Sequence, residues 1–241
     1  MVRILFIGMG GTIGTAAAAA ISAAIPEVSL ISGSRSSGAT AAAAAAAAGG
    51  AAAATVAADN DVVIDISRTE SIRDGLARWV NAASDADKLD HIVCTGGQAL
   101  FKPLLSCTKA DFEAAFKSKA LGQIDLVLQG VRALKSTGGS ITLTSGFLDT
   151  VQVPASIGTG AINAAINTFV RQAPAELPAN VRLNVVSPGL VAESEAKYGP
   201  YFQGFPSVAA EDVARGYVRA ILGGVTGKVI EVLPATQWRE A

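Results

Sequence analysis

The chain has 241 residues, half of them hydrophobic and only 5% aromatic, with 19 basic against 20 acidic side chains. That length can bury a sizeable core, and the balanced charge, without a basic stripe interleaved with aromatics, argues against a nucleic-acid partner. Two cysteines, Cys94 and Cys107, give no disulfide framework, and a single histidine, His91, cannot build a metal site.

The N-terminal "MVRILFIGMGG" loosely imitates a signal peptide, but its apolar core is only "ILFI" before glycines begin. No stretch of ~18 strongly apolar residues supports a membrane span. A soluble cytoplasmic protein acting on a small molecule is the expectation.

In chain order, "VRILFIG" (2–8) is a short apolar run ending in glycine, as a buried parallel strand does. A glycine-rich turn follows, then "TAAAAAISAAI" (15–25), a strong helix former. "EVSLISGS" (27–34) reads as a second strand. The alanine–glycine tract near 39–58 is of low complexity, carries no group that does chemistry, and is read as an insertion. "DVVIDIS" (61–67) resumes a strand, and residues 68–83 have helical spacing with Ile72, Leu76 and Trp79 on one face.

"LDHIVCTGG" (89–97) is the fourth strand, in which His91 and Cys94 read as buried. Residues 108–135 read as one long helix, capped by Thr108 with Asp111 three residues on. "GSITLTS" (139–145) is a strand, 159–178 a helix, and "VRLNVVSPG" (181–189) a strand. An irregular aromatic segment spans 190–207, with "YGPYFQGFP" at its centre; helix (209–224) and strand (227–233) close the chain. Strands and helices alternate without a dividing linker, which predicts one α/β domain over 1–241. Its core is a doubly wound, Rossmann-type parallel sheet with helices on both faces.

Gly8, Gly11 and Gly14 fall at three-residue intervals between the first strand and first helix, with Gly10, Thr12 and Ile13 among them. Glycines let the backbone approach a pyrophosphate, and the helix N-terminus offers it free amides. The alternative is a glycine-rich turn with no ligand; the strand before and the helix after favour a dinucleotide. The second strand ends in Ser34, Arg35, Ser36 and Ser37. A guanidinium beside hydroxyls suits a 2′-phosphate and so NADP(H), against the alternative of a solvated loop arginine.

With these pieces in order, the chain resembles the short-chain dehydrogenases/reductases over nearly its whole length apart from the alanine tract. The resemblance rests on the glycine loop, Asp65 in "VIDIS", "CTGG", "GSITLTSG", "VRLNVVSPG" and "TGKVIEV". It is nearest to a divergent branch of small members. It implies that the glycine loop holds the pyrophosphate and that Asp65 and Ile66 meet the adenine. It further implies that Thr95, Gly96 and Gly97 lie near the ribose and that Pro188, Gly189, Leu190 and Val191 meet the carboxamide. The family's active-site serine falls on Ser145.

The pattern then breaks. By the resemblance, the family's tyrosine falls on Thr159, its lysine on Asn163 and its asparagine on Lys119, so asparagine and lysine change places. A one-residue gap would put Gly158 and Ile162 at the first two positions, and neither frame restores a tyrosine or lysine. After Ser145 no tyrosine or lysine occurs until Lys197 and Tyr198. A threonine hydroxyl cannot be tuned near neutrality as a phenol can. Lys119 and Ser145 are expected to position substrate and cofactor and to complement charge, unless Lys119 is a helix-surface lysine. Asp149, on the loop that borders the substrate in the family, is a second candidate acid or a partner for a cationic iminium, unless simply solvated. The 190–207 segment corresponds to the family's substrate flap and suits an apolar or aromatic ligand, or else packs a subunit contact. The resemblance also implies a homo-oligomer.

The expectation is therefore an NADP(H)-dependent oxidoreductase of atypical mechanism, reducing a carbonyl or imine of a small apolar substrate. The alternatives are a non-redox cofactor-binding sensor and a cyclase or isomerase.

Overall fold

Strand β1 (Val2–Ile7) is apolar on both sides because both sides are covered. Ile4 and Phe6 point into one core cluster, Leu5 and Ile7 into another, as the two-residue period of a strand requires. The structure is a computed structural model that describes residues 1–35 and 61–236. Ser36, Ser37 and the tract near 39–58 lie outside the described residues.

Further strands follow: β2 (Val28–Ser34), β3 (Val62–Val63), β4 (His91–Cys94), β5 (Gly139–Thr144) and β6 (Val181–Pro188). Two short ones, β7 (Leu190–Val191) and β8 (Ser207–Val208), pair only with each other, and β9 (Lys228–Val232) returns to the main sheet. The main sheet has seven parallel strands in the order β3-β2-β1-β4-β5-β6-β9. This is the doubly wound Rossmann-type sheet expected from the alternating pattern. Its order reverses between β1 and β4, which opens a crevice at their carboxyl ends.

On one face lie α1 (Thr12–Ala24), which contributes Ala17 and Ile21 to the core, and a C-terminal helix, Ala210–Leu222, which contributes Val213 and Tyr217. The opposite face carries α2 (Thr69–Val80), whose Ile72, Leu76 and Trp79 are buried along one stripe, as their spacing predicts.

The single helix expected over 108–135 is interrupted. It begins as α3 (Lys109–Phe116), with the Thr108–Asp111 capping box formed in both directions. A π-helical turn at Lys117–Leu121 follows, and then α4 (Gly122–Gly130). A π turn holds one more residue than an α turn and re-aims the side chains within it; here Lys119 and Ala120 are buried. Next comes α5 (Ile157–Gln172), which packs Ile162 and Ile166 on the sheet.

Two further expectations change in detail. Only Val62 and Val63 of "DVVIDIS" pair as strand, because the Asp65 carboxylate accepts from both the amide (2.9 Å) and hydroxyl (2.7 Å) of Ser67 and folds the chain into a turn. The 190–207 segment is not wholly irregular. It holds α6 (Glu195–Tyr198) and is tied at its base by the β7–β8 ladder. The carboxylate of Glu193 also accepts from the Ala210 amide at the start of α7 (Ala210–Leu222).

Candidate active site

Two hollows meet at the carboxyl ends of β1 and β4, and Thr95 and Gly97 line both. The first, of about 610 Å³, runs from Gly8, Gly10 and Gly11 past Ser34 and Arg35 to Asp65, Ile66 and Gly96. Gly11 precedes the first turn of α1, which has no side-chain cap and no acidic residue. Its amides therefore have no anionic side chain of that turn to occupy them, an arrangement that suits a phosphate. Thr12 and Gly14 stand behind the loop in α1, outside both linings. The Ser67 hydroxyl and amide hold the Asp65 carboxyl below its usual range, so it stays ionised within its turn.

The second hollow, of about 210 Å³, is lined by Ile13, Lys119, Ser145, Thr159 and Asn163, with Pro188, Gly189, Leu190 and Val191 along one wall. Lys119 is only 8% exposed. Its ammonium donates to Ser145 O (3.1 Å) and to Asn163 Oδ1 (2.9 Å). Lys119 and Asn163 thus touch each other, and the surface alternative for Lys119 is not what the fold adopts. A side chain at Gly97 would place its Cβ 2.5 Å from Lys119 Cγ, so only glycine lets this lysine lie against the β4 loop. Desolvation lowers the Lys119 pKa to about 8.

The Ser145 hydroxyl is buried and has no hydrogen-bond partner among the described residues. A buried hydroxyl left unpaired is costly and calls for an explanation; here it lies at the edge of the cavity. Thr159 lines the cavity too, but its hydroxyl donates to Leu100 O (2.9 Å), stitching the loop after β4 to α5. Asp149 is not among the cavity residues. Its carboxylate, a candidate acid or counter-ion from the sequence, accepts from Asn167 Nδ2 (2.8 Å) on α5.

Phe101 and Phe147 carry no sequence signal that singles them out, yet they join rings of the aromatic 190–207 segment. Phe101 stacks at a tilt on Tyr198 (5.3 Å) and Tyr201 (4.7 Å), and Phe202 approaches Phe147 at 5.9 Å. Phe101, Phe147, Leu148, Tyr198 and Phe202 wall the cavity, so the aromatic segment does face it. Tyr198, the first tyrosine after Ser145 in the chain, is among them. For Gln123, its place one helical turn after Lys119 is the one hint in the sequence. Its side-chain amide accepts from Thr144 N and donates to Thr144 O, both at 2.9 Å, where β5 outruns β4.

The other reactive groups are remote or inert. Burial pushes the Cys94 thiol up to about 12, and His91, at the far end of β4 and bonded to Ser140, is pushed down to about 4 by burial. Among the described residues no group of acidic, histidine and cysteine side chains could hold a metal, and no helix is long and apolar enough to cross a membrane. A larger hollow of about 750 Å³ between α3, α4 and the turn after β3 is mostly apolar and holds none of the groups above except Ile66 and Ser67.

Residues 8–220 match the family model described as enoyl-(acyl carrier protein) reductase. The chain is similar to a solved protein, lin1944 of Listeria innocua, with 30% identity, a TM-score of 0.80, and coverage of 96% of this chain and 100% of that one. It is also similar to a small-chain dehydrogenase solved in complex with NADPH, at 25% identity and a TM-score of 0.68, over 96% of each chain. A short-chain dehydrogenase/reductase of Acremonium sp, ucsE, is 33% identical over 106 residues, which span 43% of this chain and 40% of that protein. Together with the seven-stranded sheet, these likenesses show that the chain belongs to the short-chain dehydrogenase/reductase family.

Proposed function

We propose that the protein is an NADP(H)-dependent oxidoreductase of atypical mechanism that reduces a carbonyl or imine of a small apolar substrate. The observation that carries this reading is the unpaired Ser145 hydroxyl beside the buried Lys119 ammonium, at the junction of a phosphate-suited hollow and an aromatic-walled one. The uncapped start of α1 and the glycine loop fit a pyrophosphate, and Asp65 and Ile66 border the space for an adenine. Thr95 to Gly97 would meet the ribose, and Pro188 to Val191 the carboxamide. When bound, the cofactor supplies the hydride. The chain's own part is to orient the substrate oxygen with Ser145 and Lys119, and to exclude water with Phe101, Phe147 and Phe202.

Arg35 at the end of β2, with Ser34 beside it, supports NADP(H), and the similar dehydrogenase was solved with NADPH. Arg35→Ala is expected to weaken NADPH by ~10-fold or more, the value of a charged hydrogen bond, while NADH affinity stays unchanged. Fluorescence titration with both cofactors checks this. Oxidation of NADPH by a panel of ketones, aldehydes and cyclic imines tests the function itself, and loss of turnover in Ser145→Ala ties it to this cavity.

The engagement of Thr159 with Leu100 favours a second reading, a cofactor-binding sensor or a cyclase without redox turnover. Tight NADPH binding without oxidation by any panel member would select it. A homo-oligomer is part of the proposal. On α4, Leu128 is 64% exposed, and Leu121 just before it is 55% exposed, leaving an apolar strip that a second copy would cover. Light scattering after size exclusion should give a multiple of the chain mass, and Leu121→Lys with Leu128→Lys should reduce it.

A further inference from the structure

The cavity holds a cation and no carboxylate. An ammonium has three N–H donors; Lys119 commits two of them to neutral oxygens, Ser145 O and Asn163 Oδ1, and none to an acid. The third has no acceptor among the described residues. The Ser145 hydroxyl, in the residue whose carbonyl Lys119 grips, is equally uncommitted. A substrate oxygen that reached the Lys119 ammonium would meet its third N–H and no competing anion.

The groups around Lys119 agree. From β4 comes the Cys94 thiol, held neutral by burial. From α5 comes the neutral Asn163 amide, and from α6 the ring of Tyr198 lines the same space. From α7 the Tyr217 phenol, raised above its ordinary value by burial, is spent on Thr144 Oγ1 at 2.6 Å. Asp149, which would have offered a cation its counter-charge, is bonded to Asn167 and does not line the cavity.

We propose that Lys119 is the proton donor of this cavity, in place of a phenol, and that the cavity therefore takes a neutral carbonyl compound and rejects a cationic imine. This rests on the oxidoreductase reading, and within it selects the substrate class. As the carbonyl carbon gains the hydride that NADPH supplies, the C=O π pair moves to oxygen. The Nζ–H bond of Lys119 breaks as the O–H bond forms, and the neutral amine left behind recovers its proton from water. A surface ammonium would be too weak an acid for this, whereas one lowered to about 8 is matched to neutral pH.

Benzoate and benzylammonium, alike in ring and opposite in charge, test the charge preference by calorimetry on the wild-type protein with no turnover required. Benzoate should bind, and its affinity should fall ~10-fold or more between about pH 7 and about pH 9.5 as the ammonium is lost; benzylammonium should not bind. A carbon NMR titration of Lys119 Cε in the wild type should show a midpoint near about 8. With NADPH and an aryl ketone, kcat should fall as pH rises through that midpoint.

Lys119→Arg keeps the charge but cannot release a proton, so at saturating NADPH it should lose ~100-fold or more in kcat and lose the pH break. Wild-type kcat and pH profile in Lys119→Arg, or benzylammonium bound as tightly as benzoate, would overturn the assignment while leaving the oxidoreductase reading intact. NADPH that fails to bind the wild type would overturn both. The two wild-type measurements decide the matter even where the variants fail to fold.

Discussion

Gly14→Ala should cost about 3 kcal/mol of stability, the upper range for a forced overpacking, and NADPH affinity should fall ~100-fold. A Cβ at this position would lie 2.2 Å from Gly8 O and 2.9 Å from both Met9 Cα and Met9 O. All three are backbone atoms of the loop itself, so no flexible side chain can yield. The loop must open, and the amides ahead of α1 lose the alignment that suits them to a phosphate. Urea unfolding and cofactor titration measure the two effects separately. Gly11→Ala is the control for stability, because its Cβ would sit an ordinary 3.6 Å from Gly8 O. Its unfolding free energy should change by no more than about 0.5 kcal/mol. Equal losses in both variants would mean that helix entry, not close packing, governs the loop.

Gln123→Ala should cost about 4 kcal/mol. Gln123 is fully buried, and β5 extends beyond the end of its ladder with β4, so Thr144 has no strand partner on that side. The glutamine amide takes the missing strand's place, accepting from Thr144 N and donating to Thr144 O. Truncation strands both backbone groups in a dry interior, at about 1–3 kcal/mol each, and leaves a cavity as well. Because Ser145 follows directly, turnover should fall along with stability. Gln123→Glu keeps the acceptor and loses the donor, and should lie between the wild type and the alanine variant in a thermal melt. A Gln123→Ala protein as stable as the wild type would show that water replaces the amide.

These two residues also mark how far the sequence could be read. Gly14 was legible, because glycines at a fixed spacing between a strand and a helix have few other uses. Gln123 was not, since a lone glutamine in a helical run looks like any solvated residue. The apolar run of β1 and the stripe of Ile72, Leu76 and Trp79 announced their elements through periodicity. The break in the long helix did not announce itself, because Lys117–Leu121 has ordinary helix-forming residues. What re-aims Lys119 is the packing around that turn, where a Cβ on Gly122 would sit 2.5 Å from Ile66 O.

The candidate site divides in the same way. Order and spacing of local motifs were enough to predict an alternating parallel sheet, and they pointed to the glycine loop and to Lys119 and Asn163 as candidate site residues. Each of these depends on neighbours in the chain. Whether Lys119 is buried, whether Asp149 faces the cavity, and whether the Thr159 hydroxyl is free depend on partners at 163, 167 and 100. Only the closed tertiary structure brings those together, since which hydrogen bonds a polar side chain makes is decided by what lies across from it in space.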